Sequence, residues 1–369
     1  MGFEPKRDTI GVTGLTPVRP TLSEGRIDRD VAPNINAVRG LACLLIVALH
    51  VVGDTDYNGL RLPMTSGWHY VMQSIEFLRI PLFTALSGYL YAGQRVTSRK
   101  LFQFWTKKVR RLAVPLVFVT VVMWLLRGHA LANDTSLTSA LLFEYGHLWY
   151  LQSLLILFTG ISVADAWIKP SSTSLALAGL TAIMISQSGI TITTFFGTAG
   201  AFYLAPYFLF GIILRERPEW LRNPQSGLLA AGIIVVVLTS QQLGMLGLTT
   251  GVTVLQLPAA VAGMAGVVFL LQRFPRNALL ARVGTYSYAI YLWHVLAGAA
   301  TRDALQRAGV VSIPTLFVLS LAAGVVAPIM LYTIARRIPL LSVAVTGERR
   351  ARKRRNPAPA LQSIEVAAY

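Results

Sequence analysis

The sequence predicts an all-α, polytopic integral membrane protein with about ten transmembrane helices and both termini in the cytoplasm. Hydrophobic residues make up 54% of its 369 residues and charged residues only 13%, whereas soluble domains carry about 25% charged residues. The mean hydropathy is correspondingly high, at +0.57. Apolar runs of roughly 20 residues, the length that an α-helix needs to cross a bilayer, recur along the chain.

Ten such runs are predicted to cross the membrane. They cover residues 35–53, 70–93, 110–127, 148–167, 174–190, 198–214, 226–243, 252–271, 284–300 and 313–335. The predicted organisation is therefore a loosely ordered cytoplasmic N-terminal tail (1–34), a transmembrane domain (35–335) and a basic cytoplasmic C-terminal tail (336–369).

The charge distribution predicts the orientation. The chain has 33 Lys and Arg against 16 Asp and Glu, a net charge of +17. The basic residues concentrate in alternate connections, around 95–108, 215–222 and 273–282, and in the run Arg349–Arg355, whereas 191–197 and 244–251 hold no charge. Because cytoplasmic loops carry the excess of Lys and Arg, both termini are predicted to be cytoplasmic. The excess is attributed to topology and to contact with membrane lipids, and no nucleic-acid partner is expected.

The first span carries two ionisable residues, Arg39 and His50, eleven positions apart. At 100° and 1.5 Å per residue, eleven residues complete about three turns and roughly 16 Å. The two side chains therefore share one helix face, with Arg39 near the cytoplasm and His50 in the outer half. Ionisable residues inside a membrane are costly and mark functional sites by default, so a common cavity is the preferred interpretation. A snorkelling arginine and a histidine bonded to a neighbouring helix are the plainer alternative.

Other polar residues gather at the same two depths. Glu76, with Arg79 one turn later as a candidate partner, His147 and His294 are predicted in the outer half. The cytoplasmic start of span three carries a basic cluster, whose plainer interpretation is a topology anchor; its members are Lys107, Lys108, Arg110 and Arg111. The histidine spacing matches no local metal-ligand motif, so no metal site is predicted.

A basic cytoplasmic mouth, a polar helix face and a distant histidine together indicate a specific chemistry. Arginines hold phosphate oxygens by bidentate hydrogen bonds, so a phosphate-rich donor would bind at the mouth. A histidine, whose ordinary pKa is near neutrality, suits general-base work on an acceptor hydroxyl. His50, assisted by Glu76 and His294, is therefore the predicted catalytic centre.

Five sequence pieces contain these candidate residues: Arg39-x10-His50, "RIPLFTALSGYL" (79–90), "KKVRRLAVP" (107–115), "HLWYL" (147–151) and "GTYSYAIYLWH" (284–294). Together they resemble the membrane acyltransferase 3 family, bacterial O-acyltransferases of surface glycans and other acceptors. They occur in the family's order over about 260 residues. Asn36 departs from the pattern, because many relatives have an aspartate at that position.

The resemblance implies a bacterial inner-membrane O-acyltransferase, with acyl-CoA, usually acetyl-CoA, as donor and no tightly bound cofactor. By position, Arg39 would contact the CoA phosphates and His50 would be catalytic. We expect Lys107, Arg110 and Arg111 to assist donor binding. The acceptor side is expected to include three residues at the start of span four: His147, Trp149 and Tyr150. The acceptor would be a hydroxyl of a surface, periplasmic or lipid-linked glycan, and the oligomeric state is left open.

Several alternatives stay open at this point. The first alternative is a transferase of the same family that uses succinyl-CoA or another short acyl-CoA as its donor. His50 would either deprotonate the acceptor for direct attack, which is favoured, or carry the acyl group covalently. Ser87 and Ser153 are weaker candidate nucleophiles, since serines in transmembrane helices more often bond backbone. A ten-helix glycan or lipid transporter without covalent chemistry is the rival from another class.

Overall fold

A computed structural model describes residues 22–131, 135–188, 190–245 and 256–348, and within these ranges the chain is helical with no strand. Short 3₁₀ turns and one π-helical turn (Val109–Ala113) join the α-helices. The α-helices are α1 (Leu22–Val52), α2 (Gly67–Ser74), α3 (Glu76–Ala92), α4 (Leu101–Lys108), α5 (Val114–Leu131), α6 (Leu137–Leu142), α7 (Trp149–Trp167), α8 (Ser172–Gln187), α9 (Thr198–Glu216), α10 (Glu219–Arg222), α11 (Pro224–Met245), α12 (Gln256–Arg273), α13 (Ala278–Thr285), α14 (Ser287–Arg307), α15 (Ile313–Ala335) and α16 (Pro339–Thr346).

Six helical segments in the described ranges are long and apolar enough to cross a membrane. They are Asn34–Val52, Ser98–Leu126, Leu137–Trp167, Phe195–Glu216, Pro224–Met245 and Ile313–Ala335. Two predicted spans, 174–190 and 252–271, correspond to shorter apolar helices, Ser172–Gln187 and Leu257–Arg273. The all-helical membrane architecture is thus confirmed, while the total of ten spans and the orientation of the termini remain predictions.

The two remaining predicted spans are interrupted. Span 70–93 divides at Ile75 into α2 and α3, and the residues before 287 in the ninth span form the separate helix α13, with Tyr286 at the junction. The first interruption makes Glu76 the first residue of α3. Polar side chains at a helix break have the backbone freedom to turn towards a cavity, and non-helical backbone within a membrane protein is tolerated where protein or a cavity surrounds it.

Glycines allow two pairs of helices to cross closely. A Cβ atom on Gly40 of α1 would lie 2.0 Å from the carbonyl oxygen of Leu280 in α13. Likewise, a Cβ on Gly88 of α3 would lie 1.9 Å from the carbonyl oxygen of Phe208 in α9. Small residues give close helix contacts of this kind in membranes. The crossings hold α1 and α3, the two helices that carry the first two sequence pieces, against the helices that complete the site.

Two predicted boundaries differ from the structure. Helix α1 begins at Leu22, inside the predicted N-terminal tail, and α16 lies inside the predicted C-terminal tail. The indole of Trp293 donates to the carbonyl oxygen of Val345 over 3.3 Å, which fastens α16 to α14. The polar composition of 22–34 and the basic composition beyond 336 concealed these helices. The run Arg349–Arg355 lies outside the described residues.

Candidate active site

A cavity of about 810 Å³ runs between α1, α3, α7 and α14. On α1 it extends from Arg39 to Gly53 just beyond the helix, and on α3 from Glu76 to Tyr91. At 1.5 Å per residue these stretches measure about 21 and 22 Å, so two helices independently give the same length. The cavity is therefore long enough to separate a site for one substrate from a site for another.

One end of the cavity is basic. Lys107, Lys108 and Arg111 line this end, which we call the basic mouth. The Nζ atom of Lys108 lies 3.3 Å from the ring centre of Phe158, a cation–π contact that holds the ammonium at the wall. Arg111 is half exposed, and its Nη2 lies 3.5 Å from a carboxylate oxygen of Glu348.

Arg110 does not line the cavity, although it belongs to the same basic cluster in sequence. Its Nε donates a hydrogen bond of 3.2 Å to the carbonyl oxygen of Gly347. Successive residues of a helix point about 100° apart, so Arg110 and Arg111, which share one π-helical turn, are directed to different sides. Arg110 therefore anchors the segment after α16 and does not line the basic mouth.

Arg39 lies between the basic mouth and the far part of the cavity. Its Nη2 donates to the hydroxyl of Ser287 at 2.9 Å, where α14 begins. The phenol of Tyr150 lies beside the hydroxyls of Thr84 and Ser87 and near Arg39. Tyr150, predicted on the acceptor side, thus lies part-way along the cavity.

Three histidines from three helical segments meet about sixteen ångströms further along α1. The ring centroids of His50 and His294 are 4.9 Å apart, those of His147 and His294 5.0 Å, and those of His50 and His147 5.7 Å. His147 and His294 are buried, with 6% and 1% of their surfaces exposed. We call these residues the histidine cluster. The predicted convergence of His50, His147 and His294 matches this arrangement.

The hydrogen bonds assign the protons of two of these rings. His294 Nδ1 lies 2.9 and 2.8 Å from the carbonyl oxygens of Ile290 and Tyr291. A carbonyl only accepts, so Nδ1 carries the proton and His294 Nε2, in the neutral ring, is an acceptor. His50 Nδ1 lies 2.9 Å from the carbonyl oxygen of Ile46 and 3.3 Å from His294 Nε2.

His50 Nδ1 is therefore a donor, and the lone pair of the neutral ring is at Nε2. The His50 ring lines the cavity. If Nε2 takes a proton, the resulting imidazolium still donates from Nδ1 to an acceptor nitrogen on His294. This pair has the arrangement expected of a general base, His50, oriented by a second residue, His294.

Polar residues line the cavity beyond the histidine cluster. This far end includes Asp54, His69, Gln73, Glu76 and Arg79. Glu76, which the sequence predicts to be catalytic, is exposed and lies at this end. The predicted pairing of Glu76 with Arg79 is not a hydrogen-bonded one, because Arg79 Nη1 is buried with no hydrogen-bond partner.

His69 and Gln73 were missed by the sequence analysis. His69 is buried, and its Nε2 lies 3.2 Å from the carbonyl oxygen of Leu62. His69, Gln73 and Glu76 are separated in sequence by four and then three residues, the spacing of neighbours on one helix face. That spacing was the available signal.

The remaining candidates divide between cavity and scaffold. Trp149 lines the cavity, and its ring packs against Gly200 of α9. Ser87 lines the cavity, but its hydroxyl donates to the carbonyl oxygen of Phe83. The Ser153 hydroxyl lies 2.8 Å from the carbonyl oxygen of Gly197 and is fully buried. Among the described residues, no group of His, Cys, Asp or Glu has the arrangement of a metal site.

Comparison with known proteins gives a family and one distant relative. The model of a family described as "Acyltransferase domain" matches residues 33–333. Nodulation protein NolL of Mesorhizobium japonicum (strain LMG 29417 / CECT 9101 / MAFF 303099) is 23% identical over 206 residues, which are 55% of this chain and 52% of that protein. The chain thus spans about half the length of this curated relative, and no solved structure matches. Because the family model covers most of the chain, including every residue that lines the cavity, the protein belongs to the membrane acyltransferase 3 family.

Proposed function

We propose that this protein is an O-acyltransferase of a bacterial inner membrane. It would transfer an acyl group, acetyl in the first instance, from acyl-CoA to a hydroxyl of a surface, periplasmic or lipid-linked glycan. The observation that carries the proposal is the continuous cavity that joins the basic mouth to the histidine cluster. With both termini cytoplasmic, as the charged loops predict, the basic mouth faces the donor and the histidines face the acceptor.

The basic mouth suits the phosphates of CoA. Lys107, Lys108 and Arg111 line it, and Arg39 follows deeper in the cavity. Arginine offers a planar pair of donors to a phosphate oxygen pair, and lysine offers a point charge. The pantetheine arm of CoA is long and uncharged, and it would extend past the aromatic wall at Tyr150. The thioester would then reach the histidine cluster.

At the cluster His50 would act as general base. The acceptor hydroxyl attacks the thioester carbonyl carbon, a C–O bond forms, and the hydroxyl proton passes to His50 Nε2. Collapse of the tetrahedral intermediate breaks the C–S bond, and the proton on His50 neutralises the CoA thiolate. His294 Nε2, 3.3 Å from His50 Nδ1, would accept from the imidazolium while it exists. Direct transfer requires both substrates at once, and a cavity that is long and has two chemically distinct ends supports that order over a covalent acyl-histidine.

The acyl chain and the acceptor are assigned by chemistry alone. A succinyl or other short acyl donor of the same reaction is the nearest alternative, and it differs only in the group that the cluster must accommodate. A transporter of the same architecture would need no base. The lone pair at His50 Nε2 and the oriented histidine pair favour chemistry over transport.

Release of free thiol from acyl-CoA tests this function. Wild-type protein in proteoliposomes is given acetyl-CoA or succinyl-CoA with a lipid-linked or soluble glycan fraction of the host, and thiol and acylated glycan are measured together. We expect acceptor-dependent thiol release that His50→Ala reduces to background. Arg217→Gln is the control, because Arg217 is exposed and lies outside the cavity. Equal thiol release by well-inserted His50→Ala protein would contradict the role of His50.

A further inference from the structure

Arg79 is an arginine at the far end of the cavity that has no hydrogen-bond partner among the described residues. It is buried, with 5% of its surface exposed, and it lines the cavity. Its guanidinium makes no hydrogen bond to any described residue, and Nη1 is shut off from solvent without a partner. Glu76 and Tyr203 act on it only electrostatically. Removing an ion from water costs several kcal/mol unless a partner repays it, so the uncompensated nitrogen needs an explanation.

Arg79 and His50 line the same cavity, and each lies far along its helix from the basic mouth. Along α3, Arg79 is twelve residues, or about 18 Å, from Tyr91, whose ring lies 5.8 Å from that of Phe104 beside the basic mouth. Along α1, His50 is about 16 Å from Arg39. The two helices run in opposite directions along the same cavity, and Arg79 is near enough to His50 to act on it electrostatically.

The charges around Arg79 disfavour a partner that carries a permanent negative charge, a succinyl chain included. Asp54 and Glu76 line the same far end, so an acceptor or acyl chain with a permanent negative charge would meet two carboxylates there. A negative charge that exists only during the reaction, beside His50, avoids that repulsion. The thioester carbonyl oxygen acquires such a charge when the acceptor hydroxyl adds to it.

We propose that Arg79 is the oxyanion-stabilising residue of this acyltransferase. The inference rests on the proposed function. As the acceptor oxygen bonds to the carbonyl carbon and its proton moves to His50, the carbonyl π electrons move to the oxygen, which accepts a hydrogen bond from Arg79 Nη1. When the C–S bond breaks, the electron pair returns to form the ester carbonyl and the thiolate leaves with the proton from His50. Arg79 donates throughout and neither gains nor loses a proton.

The test separates binding of the flat thioester from binding of the tetrahedral state. Two CoA analogues serve as probes: a methyl ketone, which stays trigonal, and a trifluoromethyl ketone, which hydrates to a tetrahedral adduct. Dissociation constants of both are measured for wild type, Arg79→Gln, Arg79→Lys and the exposed control Arg217→Gln, together with kcat and the KM for acyl-CoA. Loss of one oxyanion donor typically lowers kcat about 10²- to 10³-fold.

We expect Arg79→Gln to lower both kcat and the affinity for the trifluoromethyl ketone about 10²- to 10³-fold. The affinity for the methyl ketone and the KM for acyl-CoA should stay within about threefold of wild type. Arg79→Lys should recover part of both losses, and Arg217→Gln should match wild type. Since Arg79 has no partner to lose, Arg79→Gln should also melt at the wild-type temperature or above it. A ratio of the two ketone affinities that is unchanged in Arg79→Gln would overturn the proposal, whatever happens to kcat. Failure of the proposed function itself would appear differently, as no thiol release by wild type.

Discussion

Replacing His294 by phenylalanine tests the histidine pair most sharply. The substitution keeps an aromatic ring in a site that is 1% exposed, so the packing is nearly preserved, but it removes Nε2, the acceptor that lies 3.3 Å from His50 Nδ1. When His50 is protonated, that contact becomes a hydrogen bond from a charged donor, a class that contributes about 1.5–3 kcal/mol. Each 1.36 kcal/mol is a tenfold change in rate.

The expected loss in kcat is therefore about tenfold to a hundredfold. The carbonyl oxygen of Ile46 still accepts from His50 Nδ1 at 2.9 Å, so the ring keeps its orientation and the loss should stay well short of that in His50→Ala. The KM for acyl-CoA should not change, because the basic mouth lies far from His294.

Steady-state thiol release in proteoliposomes measures both constants. His294→Gln is the matched rescue variant, because its amide oxygen offers an acceptor near the position of Nε2. The reasoning would be refuted if His294→Phe kept its kcat within about threefold of wild type, or if donor KM rose in parallel with the loss of kcat.

Four further substitutions test donor binding, the close helix crossing and the candidate serine nucleophile. Arg39→Ala should raise the KM for acyl-CoA about tenfold to a hundredfold, the cost of lost charged hydrogen bonds, with a much smaller change in kcat; the opposite split, measured by initial rates, would argue against donor binding. Gly211→Ala places a Cβ 1.9 Å from the carbonyl oxygen of Ala85 and should lower the free energy of unfolding by about 1–3 kcal/mol. In the control Gly160→Ala, the added Cβ meets nothing within 4 Å, so this change should be neutral or stabilising by up to about 1 kcal/mol. Equal melting temperatures of the two variants in detergent would contradict the close crossing. Ser87→Ala should keep turnover within about tenfold, whereas loss of a covalent nucleophile costs many thousandfold.

Much of the site followed from helix periodicity. Arg39 and His50 are predicted on one face because eleven residues make about three turns. The direction of each span predicts that His147 and His294 lie at the depth of His50, in the outer half of the membrane. These inferences use spacing within one helix, which sequence reports directly.

The rest depended on contacts between helices and on helix irregularities. Arg110 and Arg111 are neighbours in sequence, yet Arg110 bonds to Gly347 and Arg111 lines the cavity. The break at Ile75 is not marked by proline or glycine, so 70–93 was predicted as one span. The missing partner of Arg79 is visible only when every neighbouring side chain is placed.

The most direct test of the central claim, that His50 catalyses acyl transfer at the end of this cavity, is mass spectrometry of the host's surface and periplasmic glycans. A wild-type strain is compared with one that carries a chromosomal His50→Ala substitution, with membrane levels of the protein measured in both. The account predicts that one glycan loses an acyl group in the mutant, and the mass of that group identifies the donor. Identical glycans in the two strains, with the mutant protein at its normal level in the membrane, would contradict the role assigned to His50 in glycan acylation.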